Sequence, residues 1–376
     1  MTETEKLLRE LIALPSVNPA FLPPNDVRAG EGRVRDFLAA KAAGEGLDVH
    51  FQKVSPGRLN LLATLSPPGK IKQRLLLVPH LDTVNVVSEA QLVPRMANGR
   101  LYGRGACDAK GPVAAMFTAL SQLARHGPRP AATEIIFAGL MDEENAQTGS
   151  RALAASGCKG DLAIVGEPTR LQIVTAHKGS LWIRLETRGR AAHGSCPHLG
   201  KNAVHEMARI VHLFETDYAR HLREQRHPLL GCATVNVGFI QGGTQPNIVP
   251  ASCVARVDRR ILPGETDRSV RAEMAAWLRR YGLRATLASE KSAGCLPLET
   301  DSQRPLVQKF LQIAGQKKPA GADYFCDASI LAHGGIPSIV FGPGDIAQAH
   351  TADEWISRKS LESATTLLLK FLRSLP

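Results

Sequence analysis

Three segments of this sequence limit its fold more than any others, because each is a compact apolar run that reads as a strand and each leads directly into acidic or imidazole side chains. RLLLVP runs into His80 and Asp82, TEIIFAG leads to Glu143 and Glu144, and a short apolar strand precedes Glu167 in VGEPT. Between such strands lie helical patterns, for example GPVAAMFTALSQLARHG, with apolar residues recurring every three or four positions. Strands alternating with helices imply an α/β fold, a mostly parallel sheet covered by helices on both faces. Open sheets of this kind place their ligands beyond the carboxyl ends of the strands, where these motifs fall.

At 376 residues the chain exceeds a comfortable single core, so two domains are expected. The texture changes near His177. WIRLETRG, a long helix through NAVHEMARIVHLFETDYARHLREQ, TVNVGFI, SCVARVDRRILP, a helix in SVRAEMAAWLRRYG and LRATLAS give a β-α-β-β-α-β order, that of a ferredoxin-like sandwich. From about Gly294 strand and helix patterns of the first kind return. The expectation is a first domain made of residues 1–176 and 294–376, with a second, inserted domain over 177–293.

Composition narrows the function classes. The formal charge is +11, but Lys and Arg are scattered along helix-like segments with no zinc-finger spacing, helix-turn-helix or aromatic-interleaved groove, so they read as a solvated basic surface and no nucleic-acid partner is expected. Seven cysteines, at 107, 158, 196, 232, 253, 295 and 326, show no paired spacing, which suits a reducing cytoplasm. MTETEKLLRELIAL is acidic and amphipathic where a signal peptide would be basic and then apolar, and no apolar stretch reaches the ~18 residues of a membrane span. A cytoplasmic protein without membrane partners is expected. GRGACDAKG and FGPGD contain neither GxGxxG nor GxxxxGK[ST], and no G-x-S-x-G elbow surrounds Ser195, so nucleotide binding and a serine nucleophile are poorly supported.

The remaining chemistry is metal chemistry. His80 and Asp82, two apart on an extended segment, face one side, and a carboxylate beside a ligating imidazole fixes its tautomer and raises its basicity. Asp108, in GRGACDAKG, sits where glycines let the backbone bend close to a site and can present two oxygens to two ions. Glu143 and Glu144 are adjacent and so point in different directions, one to bind an ion and one to face water; spacing leaves open which does which. With Glu167 and His350 these residues supply donors for a two-metal hydrolytic site and one carboxylate to spare as a base. His333, in ILAHGGIPS, looks like a helix C-terminus and is the lesser candidate.

The ordered run HLDTV, GRGACDAKG, DEEN, GEPT and a late histidine in a glycine-rich context resembles the M20 family of metallopeptidases and amidohydrolases over nearly the whole chain. The resemblance implies that His80 and Glu167 hold one ion, Glu144 and His350 the other, and Asp108 bridges both. It further implies Glu143 as the base and Asp82 as the residue orienting His80. It also implies a cis peptide after Asp108, although Ala109 stands where an acidic residue is common in the family. In the second domain it points to His193 as a histidine reaching across a dimer to the reacting carbonyl, and to Asn247 and Arg260 as substrate-binding residues. Arg260 is preferred to Arg259 by the family's D-x-R pattern. A glutamate at 167 is associated with the deacylase and carboxypeptidase branches.

The expected function is therefore a homodimeric amidohydrolase with two divalent metal ions, Zn2+ or Co2+, that removes an acyl group from a small N-acyl amino acid, as acetylornithine deacetylases do. The alternatives are a metallo-exopeptidase, of dipeptidase or glutamate carboxypeptidase type, and a non-catalytic binding protein on the same scaffold.

Overall fold

A computed structural model describes residues 1–290 and 294–376 and divides into two compact units. The first comprises Met1–Thr175, Thr300–Ala320 and Cys326–Pro376; the second comprises Ala176–Glu299 and Gly321–Phe325.

The first unit is built on a mixed sheet in which Asp48–Ser55, Arg58–Leu65, Thr133–Gly139, Gln73–Pro79, Leu162–Gly166 and Ser338–Val340 lie side by side in that order. Pairing is parallel from Thr133–Gly139 through Ser338–Val340 and antiparallel at the Asp48–Ser55 edge. Side chains alternate between faces along a strand. Leu75 and Leu77 accordingly join the main apolar cluster with Val113, Leu120, Phe310 and Phe371 from three helices, and Leu76 and Val78, on the alternate positions, are buried outside that cluster. Burial on both faces is why these strands read as unbroken apolar runs. The helix Lys110–His126 is buried over most of its circumference because Arg358–Arg373 and Glu3–Ile12 both pack on it.

The second unit carries a four-stranded antiparallel sheet, Thr234–Gly242, Ser252–Ile261, Gly179–Arg188 and Thr286–Ser289 in that order, with the helices Ala203–Leu213 and Asp267–Arg280. This is the β-α-β-β-α-β arrangement of a ferredoxin-like sandwich. Ile183, Leu185, Ala255 and Val257 meet Met207, Ile210, Met274 and Leu278 in its core, while the alternating Trp182, Arg184 and Glu186 face away. Asn202 accepts the backbone N–H of Val204 and His205 at the first helix, and Thr266 and Ser269 form a capping box at the second, which fixes where each begins.

The units divide at different points from the expected 176/177 and 293/294, the latter falling at the edge of the undescribed residues 291–293. Cys295 exchanges both backbone hydrogen bonds with Ser180, so the segment after Gly294 stays with the second unit up to Glu299. Gly321–Phe325 joins it too, through the Lys178 N–H to Ala322 carbonyl bond and the Lys178–Asp323 ion pair at 2.7 Å. Cys107, Cys158, Cys196, Cys232, Cys253 and Cys326 are free thiols, and no helix among the described residues is long and apolar enough to cross a membrane.

Candidate metal centre

His80 leaves the end of Gln73–Pro79 and is bridged to Leu140 just past the neighbouring strand, which aligns the HLD and LMDEE segments side by side. Its ring is almost fully buried. Nδ1 lies 3.1 Å from the Asp82 carbonyl and 3.3 Å from Asp82 Oδ1, while Nε2 lies 3.1 Å from Asp108 Oδ1 and 3.9 Å from Glu167 Oε1.

Asp108 stands between two imidazoles. Oδ1 faces His80, and Oδ2 lies 3.3 Å from His350 Nε2, which is itself 3.1 Å from Glu144 Oε2. The peptide bond after it, Asp108–Ala109, is cis. Two donor groups follow, His80 with Asp108 and Glu167, and Asp108 with Glu144 and His350, each offering one ligand atom per residue within 4.8 Å of the others. Nitrogen and oxygen donors bound at ~2.0–2.2 Å around one tetrahedral ion lie about 3.3 Å apart, close to the short spacings here.

The electrostatics of the donor set also fit cations. Burial, then the nearby Asp108 charge, pushes Glu144 up to about 7, and burial, only partly offset by His80, drives Glu167 well above the carboxylate range. Burial would depress His80, but its bonds to Asp108 and Asp82 hold it well above its ordinary value; those from Asp108 and Glu144 raise His350 to about 10. The buried oxygens Glu144 Oε1 and Glu167 Oε1 have no hydrogen-bond partner among the described residues. Such a cluster holds protons where divalent ions would relieve the repulsion, and its oxygen and imidazole donors suit zinc-like ions.

Glu143 belongs to neither donor group. Burial and then the Glu167 charge raise it well above the usual range, and its backbone N–H donates to Asp82 Oδ1 at 3.1 Å. Asp142 before it adopts a left-handed conformation, φ 67°, so the chain turns sharply and the two glutamates leave the strand end in different directions.

Several residues beneath the centre escaped the sequence reading. Buried Asn18 donates through one amide nitrogen to Asp82 Oδ2 at 2.8 Å and to Asp142 Oδ1 at 2.9 Å. Buried Asp327 accepts from Ser150 Oγ at 2.6 Å and Gln147 Nε2 at 3.3 Å, tying down the far end of the Glu143 loop. Buried Glu354 accepts from Arg104 and from three backbone N–H groups of the Asp108 loop. Only Glu354 carried a signal, its place four residues after His350 in HTADE. His333 accounts for its own ring, with Nδ1 2.8 Å from the Ser329 carbonyl of its helix.

His193, Asn247 and Arg260 lie in the second unit. His193 and Asn247 occupy two exposed loops joined by the Gly194 N–H to Asn247 carbonyl bond at 2.7 Å, and His193 Nδ1 is 2.7 Å from Ser195 Oγ. Arg260 is half-buried, with Nε donating to Asp258 Oδ2 at 2.9 Å, whereas Arg259 is fully buried against Tyr218 and Glu265. Of the two arginines, only Arg260 presents its side chain to solvent.

Residues 76–374 match the model of peptidase family M20/M25/M40. An acetylornithine deacetylase of Edwardsiella ictaluri is 31% identical over 387 aligned positions covering 97% of this chain and 96% of the relative. Among solved structures, a tripeptidase from Staphylococcus aureus superposes with TM-score 0.77 at 20% identity, covering 99% of this chain and 97% of that one. A dinuclear metal-binding M20 peptidase from Bacillus subtilis gives TM-score 0.71 at 12% identity, covering 98% and 96%. These two likenesses are of fold.

Proposed function

Because the chain belongs to peptidase family M20/M25/M40 and is a metal-dependent hydrolase of amide bonds, we propose that it works with two divalent ions, zinc by preference and cobalt as an alternative, on small N-acyl amino acids. The observation that carries the two-ion reading is Asp108, with one carboxylate oxygen turned to His80 and the other to His350. His80, Asp108 and Glu167 would hold one ion, and Asp108, Glu144 and His350 the other.

Ions bound there would polarise an acyl carbonyl and acidify a water molecule. The rest is done by the chain. Glu143, outside both donor groups yet beside them, takes the proton from the attacking water and passes it to the leaving nitrogen. Asp82 keeps the His80 ring in one orientation, with the carbonyl of Asp82 as second acceptor on the same nitrogen side. In this proposal the protein acts as a homodimer in the cytoplasm. His193 donates to the oxyanion, and Asn247 and Arg260 bind the substrate backbone and carboxylate.

The 31% identity to an acetylornithine deacetylase, together with glutamate at 167, supports deacylation of an N-acyl amino acid, acetylornithine among the first to try. The test is amine release by zinc- or cobalt-loaded protein from N-acetyl, N-succinyl and N-formyl amino acids and simple dipeptides, with Glu143→Ala alongside. Turnover of one acyl amino acid, lost in the variant, is the expected result; turnover of dipeptides alone would move the activity to the exopeptidase branch.

A further inference from the structure

Glu354 is wholly buried, its side chain 0% exposed, and among the described residues every hydrogen bond its side chain accepts comes from the loop that carries Asp108. Oε1 accepts the backbone N–H of Cys107 at 2.9 Å and of Asp108 at 3.0 Å. Oε2 accepts the N–H of Gly105 at 3.0 Å and Arg104 Nη1 at 2.7 Å. Its own carbonyl accepts the Gly103 N–H at 3.1 Å. A carboxylate with four donors is saturated, which is what allows a charge to stay in the interior. An apolar side chain there would leave three amides unpaired, and a backbone carbonyl could not serve all three.

The placement of this carboxylate matters as much as its burial. Asp108 belongs to both donor groups, and His350, four residues before Glu354, completes the second. Segment 350–354 therefore carries a metal-donor imidazole at one end and, at the other, the anchor of the loop that presents the shared carboxylate. Gly103 and Gly105 have φ of 153° and 81°, in the region glycine favours. The loop is also held by the Arg104 N–H to Gln91 carbonyl bond at 2.8 Å, the Ala106 N–H to Gly103 carbonyl bond at 3.0 Å and a weak Cys107 Sγ bond to the Asp345 carbonyl at 3.3 Å, but the amides of Cys107 and Asp108, next to the shared carboxylate, donate to Glu354.

Resting on the two-ion reading, we infer that Glu354 is a positioning residue for the metal centre, fixing the Asp108 backbone relative to His350 so that the centre holds two ions at once. Arg104 is its counter-charge. The role differs from that of Asp82, which touches a donor imidazole directly. Glu354 reaches no donor side chain and acts through main-chain amides.

The test measures zinc stoichiometry and affinity by chelator competition, and the visible spectrum of the cobalt-loaded protein, for the wild type, Glu354→Gln, Glu354→Asp and the pair Arg104→Met with Glu354→Gln. Phe371→Leu, in the apolar core, is the control for general destabilisation. In Glu354→Gln the amide turns a donor toward amide donors. Zinc affinity is expected to fall ~10–100-fold with an altered cobalt spectrum, and the paired variant, which removes the stranded guanidinium, should recover thermal stability without recovering affinity. Phe371→Leu should lower the melting temperature and leave zinc affinity unchanged. Folded Glu354→Gln binding two zinc ions with wild-type affinity and spectrum would overturn the inference while leaving the two-ion reading intact. Wild-type protein that binds fewer than two ions would overturn that reading itself. Should the variants not fold, hydrogen exchange on the wild type decides: zinc is expected to raise protection at 105–108 and 350–354 together, and exchange at 105–108 that ignores zinc would refute the role.

Discussion

Asp82 Oδ2 accepts the backbone N–H of Glu144 at 3.1 Å. Its partner oxygen accepts the N–H of Glu143 at the same distance and lies 3.3 Å from His80 Nδ1. One buried carboxylate thus fixes an imidazole from one strand end and the backbone of the acidic pair from the next. Asp82→Asn would keep the volume but turn an amide donor toward at least one of these N–H groups, leaving a buried donor unpaired at ~1–3 kcal/mol. Zinc affinity is expected to fall ~10–100-fold, with a parallel loss of kcat/KM. Titration of the variant with zinc against a chelator of known affinity measures the first, and steady-state kinetics the second.

Glu143 and Glu144 are adjacent, yet only Glu144 lies among the donor atoms. Glu143→Gln is therefore expected to retain two zinc ions while kcat falls ~10²–10⁴-fold, and Glu144→Gln to lose an ion along with activity. Metal analysis after gel filtration separates the two. A Glu143→Gln protein that came through with one ion would reverse the assignment.

Without metal, the centre should make stability depend on pH in one direction. Glu144, held at about 7 by burial and by Asp108, keeps a proton in the folded chain that the unfolded chain releases near 4.5, so stability falls as pH rises between those values. His350, raised to about 10 by Asp108 and Glu144, contributes stability that is full below 6.5 and is lost as pH rises through 10. Both slopes run the same way. Asp82 and Asp108, held below the usual range, oppose them only in acid. Zinc needs the deprotonated donors, so the rise in melting temperature it causes should be larger at about pH 8 than at about pH 5.5. Differential scanning with and without chelator checks this, and an equal rise at both pH values would count against carboxylate and imidazole ligation.

How much of this was legible before the fold follows from where each interaction closes. His80, Glu143, Glu144 and Glu167 each follow an apolar strand, and parallel strands bring such positions to one edge, so their grouping could be read from pattern alone. Asn18 could not. It precedes a proline and looks like a turn residue, and its partners Asp82 and Asp142 lie 64 and 124 positions away. Glu354 sits in the same motif as His350, but its partners are backbone amides 246 to 249 positions earlier, which have no residue type to read. The two compact units divide at other points than 176/177 and 293/294 for a similar reason, because Gly321–Phe325 is tied to Lys178 across a long gap in sequence.

Gly149, in the helix after the acidic pair, marks a close approach of backbone to backbone. A Cβ there would stand 2.4 Å from the Met141 carbonyl oxygen, 2.7 Å from Asn60 Oδ1 and 2.8 Å from the Met141 nitrogen. Asn60 itself accepts the Met141 N–H at 3.2 Å, so neither neighbour can yield without moving the segment that leads into Glu143. Gly149→Ala is expected to cost ~1–3 kcal/mol of stability, the usual cost of overpacking, and to lower kcat through the displaced loop. Denaturant unfolding and kinetics on the same preparation test both parts, and wild-type values for both would mean that the helix start absorbs the methyl group.

Arg260 offers the sharpest test of the substrate assignment, since its side chain is half-buried and held by Asp258 at 2.9 Å, whereas Arg259 is committed to Tyr218 and Glu265. A guanidinium binds a carboxylate through two parallel bonds, and an ammonium binds it as a point charge. Arg260→Lys should therefore raise KM for an N-acyl amino acid ~10-fold or more with a smaller change in kcat, because the clamp serves ground state and transition state alike. The same contact predicts that the wild type prefers an N-acyl amino acid to its carboxamide, and that the preference shrinks in the variant. Comparing kcat/KM for the acid and its amide in both proteins measures this directly. A wild type that hydrolyses the two equally would remove Arg260 from the substrate site, and a preference that survives the substitution would assign the carboxylate to another cation.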